Sequence, residues 1–165
     1  MLQSPQPLAA HHLLEGFDCG RVELNDWLLR HARQAHASGS ARTFVTAQQD
    51  GRVVGYYSLA VGQVEHEQAT ERIRKGMGRF PIPVVVLARL AASTMHQGQG
   101  IGAALLKNAI KRSLLISEHA GVRAILTHPI DAPAAGFYTH FEFDFSPLHR
   151  NQMLLLLKDA RRFAM

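Results

Sequence analysis

At 165 residues, with 47% hydrophobic and 19% charged side chains, the chain has the size and composition of about one globular domain, neither disordered nor fibrous. Its one cysteine, Cys19, excludes an intrachain disulfide and a cysteine metal cluster, and no apolar run reaches the roughly 20 residues that span a bilayer. The formal charge of +5 favours polyanionic partners, and the opening Met1-Leu2-Gln3-Ser4-Pro5 has no signal-peptide character, so a cytoplasmic location without membrane contact is expected.

In chain order, residues 8–14 suit a first short strand, and Phe17-Asp18-Cys19-Gly20 a turn before a helix over 21–37. In that helix Leu24, Trp27, Leu28, His31, Ala32 and Ala35 recur at three- and four-residue spacing and form a core face; Gly39 ends it. Residues 43–48 have strand composition, Asp50-Gly51 signals a two-residue hairpin, and 53–64 make the returning strand. A short charged helix over 67–75 precedes a Gly/Pro connector, which leads to a buried strand over 84–92. After a glycine-rich segment, a helix over 100–119 stops near Gly121. Residues 124–128 form another buried strand. Asp131 caps a helix to about His140, with Pro133 in its first turn, and 153–158 close as a last strand. The order predicts an α/β (α+β) fold, a central mixed sheet flanked by helices, in a single domain over 1–165.

The segment Gln97-Gly98-Gln99-Gly100-Ile101-Gly102 is the most informative. Glycines between a buried strand and a helix start expose backbone N–H groups beside the positive end of the helix dipole, which suits a phosphate or pyrophosphate. Gly98-x-Gly100-x-x-Ala103 satisfies the dinucleotide fingerprint in letters only. Several residues separate it from the strand, and the nearest acid, Glu118, falls at the end of the helix rather than of a second strand. A Walker loop fails because no Gly-Lys-Ser/Thr follows.

Gln97-x-x-Gly100-x-Gly102 after a strand resembles the acetyl-coenzyme A loop of the GNAT superfamily of N-acetyltransferases. That resemblance implies a strand pair that splays after Leu90, freeing the backbone of Leu90, Ala91 and Ala92 for the pantetheine arm. It also implies acetyl-coenzyme A as co-substrate, with no metal, and Gln97, Gly98, Gln99, Gly100, Ile101 and Gly102 as its pyrophosphate cradle. Ala134-Ala135-Gly136-Phe137-Tyr138 resembles the superfamily's alanine-rich helix, so Tyr138 is implied as the catalytic hydroxyl near the thioester sulfur. A phenol there hydrogen-bonds or protonates the leaving thiolate. Glu142 departs from the pattern, standing where the superfamily usually has glycine.

Phe17-Asp18-Cys19-Gly20, Leu24-Asn25-Asp26-Trp27-Leu28, Thr43-Phe44-Val45, Val53-Val54-Gly55-Tyr56-Tyr57-Ser58-Leu59, Arg89-Leu90-Ala91 and Phe145-Ser146-Pro147-Leu148 together resemble the acetyltransferase toxins of type II toxin–antitoxin modules. This implies acetylation of the α-amine of aminoacyl-tRNA, a block on translation, a ribbon-helix-helix antitoxin and a homodimer. Arg89, a charge inside an apolar strand, needs a partner or a substrate, and the resemblance, which implies an arginine at this place by the acceptor side, ranks it first among the substrate residues. Arg30 and Arg33 are further candidates, with Arg72, Arg74, Lys75 and Arg79 as a possible phosphate-contacting rim. Two alternatives stay open: an N-acetyltransferase acting on a small amine or protein N-terminus, and a non-enzymatic module that binds coenzyme A or RNA. The ten histidines show no metal-ligand spacing, Cys19 reads as structural, and no carboxylate stands out as a general base.

Overall fold

The computed structural model describes residues 2–164. The strands are β1 (Gln6–Pro7), β2 (Arg42–Ala47), β3 (Val53–Val64), β4 (Ile82–Ala92), β5 (Ala124–Thr127), β6 (Asp144–Phe145) and β7 (Met153–Leu156). They form one mixed sheet in the order β1-β2-β3-β4-β5-β7-β6. The helices are α1 (Val22–Arg30), α2 (Ala32–Ser38), α3 (Glu71–Arg74), α4 (Ile101–Ser117), α5 (Ala132–His140) and α6 (Leu157–Ala160). The chain packs as two compact units: the residues up to Ala60 with Ala88–Ala109, and Val61–Leu87 with the residues from Ile110 onward.

In the first unit, the opening strand lies earlier than the leucine pattern suggests. β1 pairs antiparallel with β2 at Gln6↔Val45 and Pro7↔Phe44, after which the chain turns at Ala9 and His12. The Ala9 N–H donates to His12 Nδ1 at 2.9 Å, and the His12 N–H to the Ala9 carbonyl at 3.1 Å. Leu8 and Leu14 are therefore buried from a turn, and Leu13 contributes only an isolated bridge to Arg52.

The helix expected over 21–37 is broken at His31 (φ −123°, ψ −21°) into α1 and α2. Each half has its own anchor. The Tyr56 hydroxyl donates to the Leu24 carbonyl on α1 at 2.7 Å. Arg33 on α2 donates to the carbonyls of Ala9 (3.0 Å) and His12 (2.6 Å). One non-helical residue accommodates both ties. Gly39, at φ +83°, caps α2 as expected.

The β2–β3 hairpin closes through a longer loop than Asp50-Gly51 signals. Gln48 N–H bonds to the Arg52 carbonyl and Gly51 N–H to the Gln48 carbonyl, leaving residues 49–51 in the loop with Gly51 left-handed (φ +92°). Leu28, Ala32, Val45, Tyr56 and Ala91 form the core of this unit, with Phe17, Leu24 and Trp27 packed against it.

In the second unit, the charged helix over 67–75 resolves into a 3₁₀ turn, His66–Gln68, and the short α3. Thr70 stays extended and caps α3, its hydroxyl accepting from the Ile73 N–H at 3.4 Å. β4 and β5 pair in parallel from Val84↔Ala124 to Leu87↔Thr127. β7 runs antiparallel to β5 as far as Leu156↔Ala124, where β5 begins, and one further bond, from the Leu157 N–H to the Arg123 carbonyl at 3.1 Å, closes the ladder. The chain then coils into α6 instead of extending to residue 158. The two-residue β6 pairs with β7 and is too short for a periodic signal. Val64, Ile73, Ile82, Val84 and Leu154 centre this unit's core.

Candidate functional site: a glycine cradle, a stacked arginine and a buried tyrosine

β4 ends at Ala92, a 3₁₀ turn (Thr94–His96) follows, and the glycine segment leads into α4. Gly98 (φ +84°) and Gly100 (φ +78°) both adopt the left-handed region. A Cβ at either would meet nothing within 4 Å. The backbone conformation, not crowding, requires glycine, and the space beside it is open. The Gly100 carbonyl accepts from the Ala104 N–H at 3.0 Å, so Gly100 caps α4, and the N–H groups of Ile101, Gly102 and Ala103 have no acceptor within the helix. Open space, left-handed glycines and a dipole end fit a pyrophosphate.

The cradle is braced from below. Gln97 Nε2 reaches the carbonyls of Cys19 and Ala92, both at 3.5 Å. The Thr94 N–H donates to the Asp18 carbonyl at 2.8 Å. Asp18 Oδ1 accepts from the Gly20 N–H and Asn25 Nδ2, and Asn25 Oδ1 accepts from the Cys19 N–H at 2.8 Å. These bonds hold the Asp18 carboxyl below the usual carboxylate range. Burial pushes the Cys19 thiol up, which suits a structural thiol rather than a nucleophile.

Leu90, Ala91 and Ala92 lie on the last stretch of β4. The parallel register with β5 ends at Leu87↔Thr127, and β4 runs on past it to Ala92.

Arg89, on the same stretch, is half-buried, and its Cζ lies 4.1 Å from the Trp27 ring centroid. Trp27 in turn stacks on Tyr56 at 6.0 Å with an interplanar angle of 10°. Burial lowers the Arg89 pKa and raises that of Tyr56. Among the described residues, no hydrogen bond or ion pair engages the Arg89 guanidinium, which leaves its in-plane N–H edges uncommitted.

Tyr138 sits in the last turn of α5, in the other unit. Asp131 caps this helix, its Oδ1 accepting from the Ala134 N–H at 2.9 Å, with proline in the first turn. The far end is a Schellman motif: Phe143 N–H bonds to the Tyr138 carbonyl (3.1 Å) and Glu142 N–H to the Thr139 carbonyl (2.9 Å). Its hydrophobic contact is Tyr138 on Phe143, ring centroids 5.2 Å apart. Tyr138 is 6% exposed, and its hydroxyl bonds to the side chain of Thr127. Burial pushes its pKa up to about 12. Thr127 Oγ1 donates its own proton to the Leu87 carbonyl at 2.9 Å, so it faces Tyr138 as an acceptor.

Of the remaining candidates, Arg30 is exposed on the last turn of α1, whereas Arg33 is committed to the two carbonyls above. Arg72 pairs with Asp159 at 2.6 Å, and Arg74 bonds to the Ala69 carbonyl. Thr127 and Trp27 were not singled out by chemistry in the sequence. Thr127 carried no signal, and Trp27 stood only as part of a helix face, although it is the chain's one tryptophan. Among the described residues, no three His, Cys, Asp or Glu side chains gather as a metal-binding group, and no helix is long and apolar enough to cross a membrane.

Comparison with known proteins agrees with this architecture. The model of the acetyltransferase (GNAT) family matches residues 9–143. The tRNA-acetylating toxin of Mycobacterium tuberculosis is 41% identical over 158 residues, covering 96% of this chain and 94% of the toxin. The structure of AtaT complexed with acetyl-methionyl-tRNAfMet superposes with a TM-score of 0.90 at 25% identity, covering 100% of both chains. That of AtaTR bound with AcCoA gives 0.86 at 26% identity, covering 99% of this chain and 98% of the other. With a family match across most of its length and so similar a relative along nearly all of it, the chain belongs to the GNAT family of acetyltransferases.

Proposed function

We propose that this N-acetyltransferase moves an acetyl group from acetyl-coenzyme A to the α-amine of an amino acid esterified to tRNA, and so acts as the toxin of a type II toxin–antitoxin module in the cytoplasm. The observation that carries the reading is the 41% identity, over 96% of the chain, to a tRNA-acetylating toxin. The AtaT complex with an acetylated aminoacyl-tRNA supports it. Structures of AtaT with its antitoxin AtaR support a protein antitoxin as partner. We assign that antitoxin the ribbon-helix-helix type and the toxin a homodimeric state.

Acetyl-coenzyme A supplies the acetyl group as a thioester. In this reading the backbone N–H groups of residues 97–102 hold the pyrophosphate, and the backbone of Leu90, Ala91 and Ala92 orients the acyl end and stabilises the oxyanion. Arg89 serves the acceptor side. Tyr138 stays protonated at every physiological pH, since its pKa is about 12. Burial makes giving up that proton to a thiolate, whose conjugate acid has a pKa of about 8.5, harder than for an exposed phenol. The hydroxyl therefore acts by hydrogen bonding to developing sulfur charge, in competition with Thr127 Oγ1, rather than by full protonation. No side chain is assigned as base: an α-amine titrates near pH 8 and reaches the site partly neutral.

The test is incubation with labelled acetyl-coenzyme A and charged total tRNA, followed by identification of the labelled species. Label on the aminoacyl end of one or a few tRNAs is expected. Label confined to free amines or protein N-termini would replace the tRNA reading, and no transfer to any amine would replace the enzyme by a binding module.

A further inference from the structure

Two independent features meet on one side chain, Trp27. The first is the Arg89 guanidinium stacked on its indole at 4.1 Å, half-buried and without a hydrogen-bond or ion-pair partner among the described residues. A cation held that way costs desolvation, and stacking uses only its π face. The N–H edges have no partner among the described residues and keep the fork geometry that fits two oxygens of a phosphate.

The second feature is a groove of about 330 Å³ along α1 and α2, lined by Trp27, His31, Gln34, Ala35, Ser38 and Ser40. The volume lies at the lower end of the range for small-molecule sites. An aromatic wall and a set of polar donors and acceptors (imidazole, amide and two hydroxyls) suit a flat heteroaromatic base with polar edges. Ser38 and Ser40 hold each other at 3.2 Å, Oγ to Oγ. No carboxylate lines the groove, so nothing in it repels an anion.

We propose that Trp27 is the shared wall of a nucleotide subsite, in which the groove takes the nucleobase and Arg89 takes the phosphate attached to it. Its natural occupant, the terminal nucleotide of a charged tRNA, rests on the function proposed above. The reacting amine is carried on an ester to the ribose of that nucleotide, so the nucleotide must lie within a few bonds of the acyl carbon. Arg89 is the residue immediately before Leu90, where the acyl end is assigned. Trp27 also positions Arg89: without the indole, a flexible guanidinium loses its fixed plane.

Because Trp27 is the only tryptophan in the chain, its fluorescence reports on this wall directly. The experiment titrates the full-length protein, saturated with coenzyme A to fill the other nucleotide site, with adenosine 5′-monophosphate. A saturable change in Trp27 emission is expected. Gln34→Glu, which puts a carboxylate in the groove on an exposed position, weakens the nucleotide by about tenfold or more and raises KM for charged tRNA with kcat retained. Arg89→Lys weakens the monophosphate but leaves unphosphorylated adenosine as in wild type. No saturable change in wild type, or an identical titration in Gln34→Glu, overturns the subsite. Acetylation of charged tRNA, measured in parallel, separates the two readings. Nucleotide binding without tRNA acetylation keeps the subsite and removes the tRNA terminus as its occupant. tRNA acetylation without a Trp27 response keeps the function and removes the subsite.

Discussion

Tyr138 has its position fixed from both ends of a nine-residue helix. Asp131 starts α5 and the Schellman turn stops it, with Phe143 closing over the tyrosine ring. That turn needs a left-handed residue, and Glu142 supplies it at φ +67°, the one described non-glycine residue with positive φ. The backbone keeps the shape glycine usually provides, at a cost of roughly 1–2 kcal/mol for a side chain in this region, while the Glu142 carboxylate pairs with Arg162. The departure at Glu142 thus changes the energy of the turn and not its geometry. Among the described residues the hydroxyl of Tyr138 then has one partner, Thr127, whose own proton goes to the Leu87 carbonyl. Tyr138→Phe removes the hydroxyl and leaves Thr127 bonded to Leu87, so the fold should survive at a cost of about 1–2 kcal/mol. Steady-state kinetics should show kcat reduced by about tenfold or more, with KM for acetyl-coenzyme A nearly unchanged. A variant with wild-type kcat would remove the hydroxyl from the reaction.

At the scale of elements, the cradle depends on how closely the first turn of α4 approaches β3. Gly55 makes that approach possible: a Cβ there would lie 2.9 Å from Ile101 Cγ2, 3.0 Å from Leu105 Cδ1 and 3.1 Å from Thr46 Cγ2. Gly55→Val should push the start of α4 outward and weaken acetyl-coenzyme A by about tenfold or more, with a stability loss of about 1–3 kcal/mol. Gly62→Val, farther along the same strand, meets Val86 Cγ2 at 3.1 Å and should cost stability without changing the affinity. Calorimetry well below both melting temperatures distinguishes them; equal affinities would detach the cradle from Gly55. The sequence showed these elements unevenly, and the division is physical. α5 was legible to within a residue because its cap, its proline and its end are local chemistry. The break at His31 was not, because it comes from ties to Leu24 and to carbonyls more than twenty residues away. β7 is shorter than the strand expected over 153–158 because strand length is set by the partner, here β5, rather than by the run of apolar residues.

At the scale of the whole molecule, the question is which part of the +5 charge is available to RNA. Sequence counts every arginine alike, and only the fold separates those already spent. Arg33 donates two bonds to backbone carbonyls, Arg72 is paired with Asp159, and Arg123 bonds to the carbonyls of Arg72, Ile73 and Lys75. Arg30, exposed on α1, has no such commitment among the described residues. The glycine cradle was readable because its chemistry is written in six consecutive residues, whereas the cationic surface is defined by contacts between distant ones. If phosphate contacts hold the acceptor, log KM for charged tRNA rises with log salt, each contacted phosphate adding roughly 0.7 to 0.9 to the slope. Arg30→Gln should lower that slope by about one while leaving stability within about 0.5 kcal/mol of wild type. Arg33→Gln should do the reverse: it strips the Ala9 and His12 carbonyls of their donor, costs about 1–3 kcal/mol in denaturant unfolding and leaves the slope unchanged. The opposite pattern, a stable Arg33→Gln protein with a reduced slope, would assign the phosphate contact to α2 and reduce Arg30 to a solvated surface charge.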